Sequence, residues 1–278
     1  MGKIFEALDK TGRADAIFQG VQEPAGIRPP APEAAPAALA PTASQVLPAF
    51  QSVSLQLHGS SPVLPFEKGN RASEQYRILR TKILQHPNQP RLIVVSSPCA
   101  GDGKSVTALN LAGALALKGA ASVLLVDGDL RRPSIYRQLG LDESPGLAEV
   151  LGGVTDLETA VVKVQELGNL HLLRAGTSDH NPTELLDSEK FSQTFARLKQ
   201  IFRYIIVDSP PIASVADSDI LNAAADGVIV VIRPDHTNKQ ACAKALESIP
   251  KNKLLGVVIN RVSEWFLSKS YGYAPYYY

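Results

Sequence analysis

The sequence predicts an α/β protein built on a doubly wound, mostly parallel β-sheet. Two observations carry this expectation. Six short apolar runs, at residues 92–95, 123–126, 170–173, 205–207, 228–232 and 255–259, recur with mostly helical stretches between them. Continuous apolar strands that alternate with helices belong to a parallel sheet covered on both faces. Segments bearing glycine, lysine and aspartate then follow three of these runs directly. They stand at the carboxyl ends of strands, where such sheets bind their ligands.

Composition narrows the class. The chain has 278 residues, with 28 Lys plus Arg against 27 Asp plus Glu and a net charge of +1. This balance excludes a polybasic nucleic-acid coat and an acidic solvating chain, and no nucleic-acid partner is expected. Apolar residues make up 45%, enough for a sizeable core. Cys99 and Cys242 are too few for a disulfide framework and fit a reducing compartment. No apolar run reaches the roughly 18 residues of a membrane-spanning helix; Lys118 interrupts the longest, at 111–126. The opening MGKIFEALDK carries Lys3, Glu6 and Asp9 in place of a signal peptide's apolar stretch. Secreted, membrane-spanning and fibrous readings are excluded.

Taken in order, residues 1–19 are expected to hold a short N-terminal helix that can bind a partner, with Ile4, Phe5 and Leu8 on one face. The same residues can fray, because isolated helices shorter than about 12 residues are marginal in water. Residues 20–61 read as a linker. Pro24, Pro29, Pro30, Pro32, Pro36, Pro41 and Pro48 stand among alanines with almost no large apolar side chain. Order should begin near residues 62–68, and the domain should span 62–268. Residues 72–85 read as a helix capped by Ser73, with Tyr76, Leu79 and Ile83 on one face and Glu74, Arg77 and Arg80 on another.

The first strand, 92–95, is followed by SSPCAGDGKSV. Gly101, Asp102, Gly103, Lys104, Ser105 and Val106 lie between strand and helix, where a phosphate-binding loop belongs. Glycines let the backbone turn its N–H groups inward, and the helix N-terminus adds its own. Lys104 can bridge two phosphates, and the Ser105 hydroxyl suits Mg²⁺. Pro98 departs from the simple GxxxxGK[ST] pattern, which has glycine there. The second strand, 123–126, is followed by Asp127, Asp129 and Arg131. Carboxylates two residues apart share a face if the backbone stays extended. They can divide the work of a base and a metal ligand, or form a polar strand-end turn. The strand at 205–207 ends in Asp208, a second metal anchor, and the exit is stiffened by Pro210 and Pro211. Together the three segments describe an ATP·Mg²⁺ site of the P-loop ATPase type with a spare carboxylate.

The tail, 269–278, carries Tyr271, Tyr273, Tyr276, Tyr277 and Tyr278. Gly272 and Pro275 oppose regular structure. Such a segment is a sticky aromatic end, a partner-binding one, or a set of phosphate acceptors.

These residues resemble the bacterial tyrosine kinases of capsule and exopolysaccharide synthesis. Gly101 to Ser105 looks like the family's Walker A loop, residues 123–131 like its Walker A′ motif, and residues 205–211 like its Walker B. Glu74, Arg77 and Arg80 match its subunit-contact motif, the tail matches its tyrosine cluster, and residues 181–186, NPTELL, share its look. Arg203 departs from the acidic residue many relatives carry. The opening MGKIFEAL is similar to stand-alone members.

The resemblance implies an autokinase that uses ATP and Mg²⁺. Asp127 would be the base, and Lys104 would neutralise phosphate charge. Ser105, Asp129 and Asp208 would hold the metal, and Arg131 would steady the acidic pair. Arg233 and Asn260 follow the last two strands, where this superfamily contacts adenine, although both also suit simple strand-end turns. A ring-shaped octamer would deliver each tyrosine tail to a neighbour. A transmembrane chain-length regulator, a polysaccharide co-polymerase, would supply an activating cytoplasmic tail. The expected location is the cytoplasm, at the inner face of the membrane through that partner. Two alternatives stay open. One is a positioning ATPase of the plasmid or division-site type, although Cys99 and Ala100 replace the lysine and glycine of its signature loop. The other is a non-catalytic scaffold of the polysaccharide machinery.

Overall fold

The computed structural model describes residues 48–55, 71–117, 121–212 and 215–262. In chain order they form β1 (Gln51–Val53), α1 (Arg71–Leu84), β2 (Leu92–Ser96), α2 (Lys104–Ala116) and β3 (Val123–Asp127). Three short helices follow: α3 (Ile135–Leu139), α4 (Leu147–Leu151) and α5 (Leu157–Ala160). Next come β4 (Val161–Val164), β5 (Leu170–Leu173), α6 (Pro182–Leu186), α7 (Glu189–Ile201) and β6 (Tyr204–Asp208). The last described elements are α8 (Ala216–Ala224), β7 (Gly227–Ile232), α9 (Lys239–Ser248) and β8 (Leu254–Ile259).

The sheet has eight strands in the order β1-β4-β5-β3-β6-β2-β7-β8. Its pairs are parallel except β4 with β5. Every residue of β2, β3 and β6 is buried. Alternate side chains feed two cores. Leu92, Val94, Leu124, Val126, Ile205 and Val207 join α4 to α9 on one face. Ile93, Val95, Val123, Leu125 and Ile206 join α1, α2 and α3 on the other. Each such side chain contributes roughly 1.5–3 kcal/mol of burial, which is why strands apolar at every position carry no alternating pattern. Helix α2 is buried from Thr107 to Ala116 and lies between the sheet and α1. The doubly wound P-loop architecture expected from the apolar runs is the one observed.

The edges depart from expectation. The linker reading of 20–61 fails at residues 48–55, where β1 pairs with β4 in parallel register, Gln51 opposite Val162. Phe50 anchors it, with its ring stacked on Phe202 at 5.7 Å and edge-on to His171 at 5.2 Å. Order therefore begins upstream of residues 62–68. Strand β4 was also unforeseen, because its four residues include Lys163 and continue directly from α5. Ser73 does not cap α1: the helix starts at Arg71, and Ser73 is buried in its first turn. The helix at 1–19, the rest of the linker and the tyrosine tail lie outside the described residues.

Candidate active site

The phosphate loop is held in shape by side chains from distant segments. Gly101 and Gly103 take φ of 86° and 99°, in the left-handed region that favours glycine. The first bond of α2 runs from Thr107 N–H to the Gly103 carbonyl. The amides of Lys104, Ser105 and Val106 precede that ladder, and Gly103 has no side chain to cap them. A helix entry left open in this way suits an anion.

Asp102 is wholly buried. Its carboxylate accepts from the Cys99 amide at 2.9 Å and the Thr237 hydroxyl at 2.7 Å, and meets His236 Nδ1 at 2.9 Å. Its side chain ties the loop to the turn after β7. Arg233 opens that turn: its amide donates to Thr237 Oγ1, and its carbonyl accepts from the His236 and Thr237 amides. Asn260 acts on the same loop. Its Nδ2 donates to the Asp102 carbonyl at 2.9 Å, and its Oδ1 accepts from the Arg261 amide. The side chain occupies the space beside Gly103 and braces the loop.

Three predicted metal ligands converge on one point. Lys104 Nζ lies 3.3 Å from Ser105 Oγ, 3.1 Å from Asp129 Oδ2 and 3.6 Å from Asp208 Oδ1. Burial alone would depress this ammonium, but Asp208 and Asp129 outweigh it and hold it above its ordinary value. Asp208 is fully buried, and its oxygens have no close hydrogen-bond donor; Lys104 Nζ at 3.6 Å and the Ser105 hydroxyl are its looser partners. Burial raises it to about 6, against the pull of Lys104. A buried carboxylate without close hydrogen bonds is costly unless a cation completes it. The residues therefore fit Mg²⁺, with the lysine ammonium standing at the cation's position. Among the described residues no three His, Cys, Asp or Glu side chains form a self-sufficient metal cage.

Asp127 and Asp208 end adjacent strands in direct register. Burial, then repulsion by Asp208, pushes Asp127 up to about 7. Its Oδ2 accepts from the Ser134 and Ile135 amides at 3.0 Å, and its Oδ1 from the Asp129 amide at a longer 3.3 Å. Gly128 allows this crossing, because a Cβ there would lie 2.8 Å from the Asp208 carbonyl.

Arg131 feels the charge of Asp129, while its hydrogen bonds go elsewhere. Its Nε and Nη2 grip Asp217 at 2.7 and 3.2 Å, and Nη2 also donates to Thr183 Oγ1 at 2.8 Å. Asp217 escaped the sequence reading, as did His236 and Thr237. Each is a single polar residue with no local pattern, and Asp217 is visible only as an acidic residue in a helix's first turn. On α1, Glu74 pairs with Arg77 one turn on.

A family profile described as an AAA domain matches residues 90–254. The tyrosine-protein kinase YwqD of Bacillus subtilis is 39% identical over 192 residues, 68% of this chain and 80% of that protein. The tyrosine-protein kinase CpsD of Streptococcus pneumoniae is 35% identical over 198 residues, 69% of this chain and 85% of that one. Among solved structures, the chimerical protein CapA2B2 superposes with a TM-score of 0.69 at 30% identity, covering 78% of this chain and 96% of that one.

Proposed function

This chain belongs to the bacterial tyrosine-protein kinases, and on that premise we propose that it transfers phosphate from ATP to the tyrosines of its own tail, between subunits of a ring. The acceptors are Tyr271, Tyr273, Tyr276, Tyr277 and Tyr278. The observation that carries the reading is the convergence of Ser105, Asp129 and Asp208 on Lys104 Nζ, at the foot of an uncapped helix. ATP bound with Mg²⁺ would supply the phosphoryl group and offset the charge on its oxygens. Ser105, Asp129 and Asp208 would hold the metal. The backbone from Gly101 to Val106 would hold the phosphates, and Lys104 would exchange its carboxylate partners for phosphate oxygens. A tyrosine hydroxyl, with a pKa near about 10, must lose its proton. Asp127 Oδ1 takes it: an acid raised to about 7 is matched to neutral pH. In a loose transition state that proton leaves late, so positioning and charge neutralisation dominate the rate.

Glu74, Arg77 and Arg80 supply the contact between neighbouring subunits, arranged as an octamer. A transmembrane chain-length regulator supplies the activating tail and holds the kinase at the inner membrane face, where it regulates exopolysaccharide or capsule synthesis and export. No described helix is long and apolar enough to cross a membrane.

The test is incubation of the full chain with ATP and Mg²⁺, followed by peptide mass spectrometry. Wild type is compared with Lys104→Met, Asp127→Asn and a chain ending at Ser270. Phosphate on tail tyrosines of wild type, lost in Lys104→Met and Asp127→Asn, is expected. ATP turnover without phosphotyrosine would refute the autokinase reading.

A further inference from the structure

The Arg131 guanidinium is gripped along one edge only. Nε and Nη2 form a fork on Asp217, Nη2 also reaches Thr183, and the Thr183 hydroxyl donates to Asp217 Oδ1 at 2.6 Å. Asp217 is fully buried, whereas the Arg131 side chain is 38% exposed. Nη1 has no hydrogen-bond partner among the described residues. The three residues come from separate segments: the loop after β3, the start of α6 and the first turn of α8.

A fork of this kind fixes the plane of the guanidinium, so little freedom is lost when its other edge binds. Burying a carboxylate for adhesion alone is a poor source of stability. Arg131 also stands two residues beyond Asp129, whose carboxylate meets Lys104 of the phosphate loop and whose charge acts on the guanidinium. We infer that Asp217 and Thr183 are positioning residues that aim the free edge of Arg131 at a phosphoryl oxyanion in the site. The inference rests on the kinase reading above, and that oxyanion has two sources: the phosphoryl group leaving the nucleotide, or the phosphotyrosine it forms.

Equilibrium binding to the full-length chain separates this from a structural staple. The probes are ADP, ADP with aluminium fluoride, and a peptide of residues 269–278 bearing phosphotyrosine. A charge-assisted hydrogen bond corresponds to about 10-fold or more in affinity. Arg131→Ala should weaken the aluminium fluoride complex or the phosphopeptide by that factor, with ADP alone within about 3-fold. A loss on the first probe identifies the nucleotide as the source, and a loss on the second identifies the product. Asp217→Asn should act in the same direction, yet add less than about 2-fold once Arg131 is alanine, because coupled residues are not additive. Thr183→Val removes a single hydroxyl and carries the same test if Asp217→Asn fails to fold.

Unchanged affinity for both anions in Arg131→Ala would overturn the inference, as would full additivity of Arg131→Ala and Asp217→Asn. Phosphotyrosine formation in wild type with flat binding across the variants refutes the positioning alone. Arginine-dependent anion binding in a wild type that forms no phosphotyrosine upholds the positioning and refutes the autokinase.

Discussion

Replacing Gly103 by alanine tests whether the phosphate loop is braced or merely flexible. Gly103 has φ 99° and ψ 24°. Holding an L-residue in that region costs roughly 1–2 kcal/mol. A Cβ there would lie 1.9 Å from Asn260 Nδ2 and 3.1 Å from its Cγ. Asn260 must therefore swing aside, giving up the bond from Nδ2 to the Asp102 carbonyl at 2.9 Å. A bond of that kind contributes about 1 kcal/mol. The total is about 2–3 kcal/mol, and it can surface in two places. If the loop keeps its shape, the ligand-free protein loses stability by that amount. If the loop relaxes, stability is spared and the same free energy appears as lost nucleotide affinity, about 30- to 150-fold.

Urea unfolding with and without nucleotide measures the sum of the two, which the argument fixes even though the partition is free. Asn260→Ala provides the control. It removes the contacts at 1.9 and 3.1 Å and leaves an ordinary one at 3.9 Å to its Cβ. In that background Gly103→Ala should cost only the backbone share, about 1–2 kcal/mol. Equal losses in both backgrounds would show that Asn260 yields freely, and would refute its role as the brace.

Other consequences follow from the same contacts. Asp102→Asn cannot satisfy the Cys99 amide, His236 and Thr237 together, so nucleotide affinity should fall about 10-fold by titration, with about 1–3 kcal/mol lost in unfolding. Phe50→Ala removes the ring stacked on Phe202 and should cost about 2 kcal/mol, with faster hydrogen exchange at β4 and unchanged nucleotide affinity. His171 is 3% exposed and burial lowers its pKa from 6.5, so the unfolded chain binds the proton more tightly. Its stabilising contribution is therefore complete above pH 6.5 and is lost as pH falls from there toward the folded value. Urea midpoints should drop less over that range in His171→Gln than in wild type; parallel curves would contradict the assignment. Asp208→Asn, studied in chelator, should unfold no more easily than wild type, because it removes a buried charge that lacks close hydrogen bonds. The same variant should no longer gain nucleotide affinity from Mg²⁺.

The parts legible in the sequence share a physical property: each is contiguous along the chain. Strands such as β2 and β6 are buried on both faces, so each is an unbroken apolar run. The loop from Gly101 to Ser105 is a contiguous run of glycine, aspartate, lysine and serine between a strand and a helix. What stayed hidden depends on residues far apart. Asp102 meets Thr237 across 135 positions, and Arg131 meets Asp217 across 86. Nothing local marks an aspartate in SVADSD as the partner of an arginine in DLRRP. Edge elements failed for another reason. β1 has two exposed residues out of three and depends on one flanking phenylalanine, so a proline-rich composition outweighed it. Ser73 met the sequence rule for a cap, but the helix begins earlier and tertiary burial takes the side chain.

The hidden contacts also separate the residues that hold the loop from the lysine that faces the acidic cluster. The loop backbone is fixed by the side chains of Asp102, Thr237 and Asn260. Lys104 is different, since its contacts are the residues that would hold the metal. In the ligand-free state the ammonium satisfies Asp129 and lowers the cost of burying Asp208. When phosphate oxygens offer an alternative to the lysine, a cation or a proton must replace its charge beside the buried carboxylates. On the proposed function, nucleotide and metal binding would be coupled through this one side chain. Preorganised donors that need no rearrangement are those worth most in the transition state. The cost of that arrangement is borne by Asp208, whose oxygens are left without close hydrogen bonds until the site is filled.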